Sequence, residues 1–486
     1  MTKELRRLSI IMLVMFLALF GATSWIQVVQ ASDLADNPRN TRALYDSFEV
    51  QRGSIIAGDE VIATSVPSDD VYSWQREYTD AEMWASVTGY INPVLQSATG
   101  LEQAMNQELS GTAGSQFLAR IERIITGQSP SGSDVLLTLD PDIQQAAYDA
   151  LGDYEGAVVA IEPSTGRVLA MVTSPSYDTN TLAVHDATAV NDTYDELLAN
   201  ALNPLWNRAT GDSLNPPGST FKLVVASAAL ASGDYTPDST FENPSSWVLP
   251  GTTTSIRNFD GGTCGSGDTV TLATALRLSC NIPMAQLAVA LGDDAIRAEA
   301  EKYGFNTSFE IPLTTQASSY PSAALSDDAT ALTGFGQGDV TASPLQMAMV
   351  AAGIANDGLV MTPYMVDSVV ASDLTVQQSF EGTEFSRALS EEDAETMTTM
   401  MIANVDDGAA SGARIDGVDV AGKTGTAEHG TSDPYTLWFT GFAPADDPQV
   451  AVAVMIENGG GLGQSGTSNG IAAPIAKKVI EAVLSK

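Results

Sequence analysis

Residues 216–230 read Pro216-Pro217-Gly218-Ser219-Thr220-Phe221-Lys222-Leu223-Val224-Val225-Ala226-Ser227-Ala228-Ala229-Leu230. Pro and Gly break the chain, and the Ala-rich apolar run after them is helical. Ser219 therefore sits at a helix N-terminus, with Lys222 one turn on. A spacing of three puts both side chains on one helix face. A serine hydroxyl is a poor nucleophile until a neighbouring base takes its proton. A lysine one turn away does this if burial or a second cation disfavours its charge. Alone, the pair reads equally well as an N-cap serine and a solvated lysine. It is, however, the only Ser-x-x-Lys in a chain of 486 residues with seven lysines.

Two short motifs follow in order. Leu278-Ser279-Cys280-Asn281 carries Ser-x-Asn, and Gly422-Lys423-Thr424-Gly425-Thr426 carries Lys-Thr-Gly. Ser-x-Asn is a weak signal by itself, and Ser213-Leu214-Asn215 also matches it, just before Ser219. The ordered trio is far more specific, and it marks serine β-lactamases and penicillin-binding proteins. Gly417–Thr424 also fits the P-loop expression. A P-loop needs a helix directly after it, and Gly425-Thr426-Ala427-Glu428-His429-Gly430-Thr431 is poor helix material. The two histidines are His185 and His429, and His429 reads as a loop residue beside the third motif.

Composition excludes other classes. Hydrophobic residues make up 44% and charged residues 17%, enough apolar material for a sizeable core. A formal charge of −38 repels phosphate backbones, so no nucleic-acid partner is expected. With two His, two Cys and no CxxC or HExxH, no metal site and no cofactor are expected. The Asn-x-Ser/Thr matches at Asn191 and Asn306 read as chance.

Leu8–Val29 holds no charged residue. As a helix it would span about 33 Å at 1.5 Å per residue, enough to cross a bilayer. Lys3, Arg6 and Arg7 precede it, and Asp33 and Asp36 follow. By the positive-inside rule the bulk of the chain lies outside the cell, held by one uncleaved span.

Beyond the span, residues 31–135 are polar and mixed. Arg52-Gly53-Ser54-Ile55 and Val61-Ile62-Ala63 read as strand fragments, Ala81–Leu109 as partly helical, and Gly127–Ser133 as a loop. Leu136–Leu139 reads as a strand. Asp140-Pro141 starts a helix to Leu151. Ala157–Ile161 and Arg167–Val172 flank Glu162-Pro163-Ser164-Thr165-Gly166 as a hairpin. Tyr435–Phe442 and Val450–Ile456 form another strand pair, and Ile471–Leu484 is an apolar-periodic helix. Strands at both ends with helices between them give an α/β domain.

On these motifs the chain resembles a class B penicillin-binding protein, a peptidoglycan D,D-transpeptidase. Trp206-Asn207-Arg208-Ala209, Gly334-Phe335-Gly336-Gln337-Gly338 with Ser343-Pro344, and Trp438-Phe439 with Gly441-Phe442 support it. The short pedestal is most similar to the actinobacterial penicillin-binding protein A group. The resemblance implies a serine β-lactamase-like transpeptidase domain with an antiparallel sheet flanked by helices. It divides the chain into a tail and membrane anchor (1–30), a small α+β pedestal of the dimerisation type (31–135) and the catalytic domain (136–486). Residues 31–135 are too few for a glycosyltransferase.

The resemblance also implies roles. Ser219 attacks the carbonyl between the terminal D-alanines of a stem peptide, and Lys222 is its base. Ser279 relays the proton to the leaving nitrogen, and Asn281 holds the stem's amide and Lys222. Lys423 raises the positive potential. Thr424, Gly425 and Thr426 bind substrate, the two threonines through its carboxylate. Backbone N–H groups of Ser219 and Thr426 form the oxyanion hole. Expected partners are peptidoglycan stem peptides, β-lactam antibiotics, the cell membrane and proteins of cell wall synthesis or division. The alternatives are a D,D-carboxypeptidase or a penicillin-hydrolysing or penicillin-sensing relative. No Glu-x-x-Leu-Asn deacylation loop stands between the second and third motifs, and only about seven residues precede the span.

Cys264 and Cys280 are the only cysteines and fall in the part placed outside the cell, where disulfides persist. They are expected to form a disulfide, the alternative being two buried thiols packed as small hydrophobes. If Ser279-Cys280-Asn281 is extended, Cys280 faces away from the site and a bond there braces the motif from behind.

Overall fold

The computed structural model of the chain describes residues 2–30, 48, 50–113 and 131–486. Asp140 caps the helix Pro141–Leu151 by accepting from the amides of Asp142 (3.0 Å) and Ile143 (3.3 Å), with Pro at the first turn where no N–H is needed. Val450–Ile456 is a strand buried along its whole length. Its period of two sends Val450, Val452, Val454 and Ile456 to one face, against Pro141–Leu151 and Ala472–Leu484. Ala451, Ala453 and Met455 face the other side, where the helix Pro344–Ala355 packs. Small residues on that second face let the helix approach the sheet, and each buried Val stabilises the fold by about 1.5–3 kcal/mol.

This strand is the middle of a five-stranded antiparallel sheet. The spatial order is Ala421–Ala427, Thr436–Ala443, Val450–Ile456, Gly156–Ile161 and Val168–Ser174. Strands from both ends of the C-terminal part thus lie side by side, with the segment 218–407, which carries the helices of the site, between them in sequence. Within that segment the helix Lys222–Ala231 is buried at every residue except Ala231.

The pedestal has its own sheet of six strands. Val376–Ser379, Val366–Val370, Asp134–Leu137, Ile55–Ala57, Glu60–Pro67 and Trp74–Tyr78 lie in that order. Two of these come from late in the chain, so a boundary at 135/136 falls inside a strand that both parts share. Glu102, fully buried, ties the pedestal by bridging Arg52 (2.7 Å) and Arg76 (2.5 Å). Arg52 therefore has a packing reason for standing at the start of the pedestal. Of Arg52-Gly53-Ser54-Ile55, only Ile55 enters a strand.

Near the N-terminus, Thr2–Ser24 is an α-helix continued by a wider turn over Trp25–Val29. The span Lys3–Gln27 has mean hydropathy 2.1 and buries none of its surface within the protein. Asp33, Asp36 and most of the Gly127–Ser133 loop lie outside the described residues.

Candidate active site

Gly218–Phe221 is a single 3₁₀ turn running into the helix Lys222–Ala231. Gly218 has φ 53°, and a Cβ there would lie 2.6 Å from the Thr426 carbonyl oxygen. Gly425 faces the same turn, and a Cβ on it would lie 2.7 Å from the Pro217 oxygen and 2.9 Å from the Thr220 nitrogen. Glycine at both positions lets the strand Ala421–Ala427 close on the serine turn. Gly425 thus has a packing reason to be there. From behind, the Trp438 indole donates to the Pro216 carbonyl at 3.0 Å.

The second motif is not extended. Ser279 adopts the left-handed conformation (φ 59°), and Asn281 is the N-cap of the helix Ile282–Leu291. The helix Leu272–Arg277 ends immediately before, and the chain must reverse between two helices. The reversal still sends Ser279 and Asn281 to the site, while Cys280 turns back into a disulfide with Cys264. Both cysteines are buried. Asn281 is held by its own amide N–H, which donates to Asn258 Oδ1 at 2.9 Å.

These elements bring two lysines together, both 0% exposed. Lys222 Nζ donates to the Ser279 carbonyl (2.7 Å) and to Asn281 Oδ1 (2.9 Å). A neutral amine has two hydrogens, so both are placed and the lone pair is left over. Burial, reinforced by the nearby charge of Lys423, holds the Lys222 ammonium well below its usual pKa. Lys423 Nζ donates to Ser279 Oγ (2.6 Å) and to the Thr424 carbonyl (2.8 Å). Burial lowers its pKa to about 7. Ser279 therefore accepts from Lys423 while its own hydrogen remains free to donate. Ser219 is half-buried, on the 3₁₀ turn that runs directly into Lys222.

Thr424 is buried and donates to the Ala409 carbonyl at 3.1 Å. The Thr426 hydroxyl lies 2.9 Å from Ser468 Oγ. Ser468, buried, donates its one hydrogen to the Gly425 carbonyl at 2.5 Å, so Thr426 must donate to it. Sequence reading missed Ser468, which sits in Gly466-Thr467-Ser468-Asn469-Gly470, a Gly-x-Ser-x-Gly spacing that no strand leads into.

Ser213 and Asn215, the second Ser-x-Asn match, have a structural place instead. Both bond Glu457, which pairs with Arg208 (3.1 Å), and Asn215 accepts from Thr436 (3.1 Å). This network anchors the segment leading to Ser219. His429 is exposed on its loop, with Nε2 2.8 Å from the Thr436 hydroxyl. Lys423 lies on a strand, so the P-loop match has no helix after it.

The penicillin binding protein transpeptidase domain family matches residues 156–481, and the penicillin binding protein A dimerisation domain family matches 52–135. The peptidoglycan D,D-transpeptidase PbpA of Mycolicibacterium smegmatis is 40% identical over 493 residues, covering 100% of this chain and 99% of its own length. The Mycobacterium tuberculosis protein of that name is 39% identical over 497 residues, with the same coverage. The ceftriaxone acyl-enzyme structure of penicillin-binding protein A from M. tuberculosis superposes with a TM-score of 0.87 at 39% identity, covering 91% of this chain and 100% of that one. Pseudomonas aeruginosa PBP2 gives a TM-score of 0.72 at 30% identity, covering 90% and 96%. The chain belongs to the penicillin-binding transpeptidase family, as a class B member of its PbpA group.

Proposed function

We propose that the chain is a peptidoglycan D,D-transpeptidase that cross-links stem peptides through an acyl-enzyme on Ser219 and is acylated there by β-lactams. The observation that carries this is Lys222, buried, with both amine hydrogens given to Ser279 and Asn281. Its lone pair takes the Ser219 proton as Oγ bonds to the carbonyl carbon of the penultimate D-alanine. The developing oxyanion is met by the backbone N–H groups of Ser219 and Thr426. Ser279, polarised by Lys423, passes a proton to the leaving nitrogen. The C–N bond breaks, D-alanine departs and the ester remains. An amine from a neighbouring stem then attacks the ester, gives up a proton along the same route and releases Ser219. The terminal carboxylate of the stem is drawn by Lys423 and held by Thr426 and Thr424, Thr426 turning its hydrogen from Ser468 and Thr424 giving up its bond to Ala409.

The chain acts from the membrane. Residues 1–30 form a single-pass anchor, 31–135 a pedestal, and 136–486 a catalytic domain outside the cytoplasm beside other cell wall synthesis or division proteins. Incubation with a stem pentapeptide, with and without an acceptor amine, tests the reading. Cross-linked product with the amine is expected. Tetrapeptide alone in both cases would make the enzyme a carboxypeptidase, and no D-alanine release would contradict the reading.

A further inference from the structure

A cleft of about 970 Å³ opens between the pedestal and the catalytic domain, at the upper end of the size range for ligand sites. It is lined by residues 85–107 on one side and by parts of 173–212 and 310–314 on the other. The lining is mostly amides, hydroxyls and small side chains. No Lys or Arg lines it, and only Asp212 and Glu310 carry charge, in a chain whose formal charge is −38. Anionic polymers therefore find no counter-charge there.

Three features point to a ligand. Trp206 is 42% exposed at the cleft, with Arg208 5.8 Å from its ring centroid. An indole is costly to leave in water and offers a flat surface for stacking. Gln96 and Gln103 are exposed at the lining, and their amides form no hydrogen bond with another described residue. Thr173, 4% exposed, lines the same cleft with a buried hydroxyl that has no hydrogen-bond partner among the described residues. A buried hydroxyl without a partner costs about 1–3 kcal/mol, which a hydrogen-bonding ligand would recover.

We propose that this cleft seats the glycan of the substrate polymer, a β-1,4-linked N-acetylhexosamine chain. Sugar C–H faces stack on Trp206, and acetamido and hydroxyl groups meet Gln96, Gln103 and Thr173. The inference rests on the peptidoglycan reading above. Binding at the pedestal holds the polymer while its stem peptide reaches Ser219.

The test titrates full-length protein in detergent with N-acetylglucosamine hexamer, by calorimetry, and labels the same preparation with fluorescent penicillin. Saturable binding is expected, with cellohexaose, which lacks the acetamido groups, binding more weakly. Trp206→Ala should weaken hexamer binding about tenfold, the range of one well-packed aromatic contact. Gln103→Ala, on the pedestal side, should weaken it by a smaller factor, and melting curves establish that both variants fold. No saturable binding, or undiminished binding by folded Trp206→Ala, would overturn the proposal. Protein that labels with penicillin but ignores the hexamer rejects the cleft and leaves the transpeptidase reading standing. Protein that binds the hexamer through Trp206 but never labels does the reverse.

Discussion

Lys222 and Lys423 are both fully buried, yet the chemistry asks them to carry opposite protonation states. Burial lowers both pKa values, and Lys222 also feels the Lys423 charge. As pH rises from acid, Lys222 loses its proton while Lys423 keeps its own, and the base becomes available. Above about 7, Lys423 also deprotonates and its field is lost. Second-order acylation by a penicillin should therefore be bell-shaped with an alkaline limb near that pH. In Lys423→Arg the cation cannot titrate, so the residual activity should lose that limb. The same limb in both proteins would place the titration elsewhere. Ser468 makes a second prediction. Its hydroxyl bonds both the Gly425 carbonyl and Thr426, so Ser468→Ala leaves a strand carbonyl short of a donor and Thr426 unanchored. Acylation by a penicillin with a free carboxylate should fall about tenfold, matching a loss near 1–1.5 kcal/mol. Acylation by its methyl ester should fall less, and equal losses would deny Ser468 a part in carboxylate recognition. The trio's residues were legible because their spacing is local. Ser468 and Glu457 were not, because a lone loop serine or a strand-end glutamate has no sequence signal until the fold brings it to a partner.

Elements with strong local chemistry were read closely. The helix Pro141–Leu151 follows from its Asp-Pro start, and the strand Val450–Ile456 from its continuous apolar run. The pedestal sheet was only half visible. Val366–Val370 pairs with Asp134–Leu137 more than 200 residues earlier, and nothing in either segment names the other. An extended Ser279-Cys280-Asn281 is one way to turn Cys280 away from the site. A left-handed serine between two helices reaches the same result. That conformation is uncommon for a non-glycine residue, and the Cys264–Cys280 bond lies directly behind it. Closing a loop of 16 residues contributes about 3 kcal/mol in the chain-entropy model. The double variant Cys264→Ala, Cys280→Ala should melt several degrees lower and acylate more slowly. An unchanged melting temperature and acylation rate would mean that the bond braces nothing, and two free thiols per denatured, unreduced wild-type chain would mean that it does not form.

At the scale of the whole molecule, one exposed apolar helix precedes a pedestal and a catalytic domain that share a sheet. The proposed orientation keeps the basic residues before that helix in the cytoplasm and the rest of the chain outside. Protease added to intact spheroplasts should degrade all but a small N-terminal piece, and full protection would contradict that orientation. The pairing of Val366–Val370 with Asp134–Leu137 means that the chain returns to the pedestal sheet late in its course. The central claim is that Ser219 becomes the acyl-enzyme. Intact-mass spectrometry after incubation with penicillin G, followed by peptide mapping, tests it most directly. The predicted result is one penicillin adduct per chain on the peptide containing Ser219, absent from folded Ser219→Ala. An adduct that persists in that variant, or maps to another residue, would contradict it.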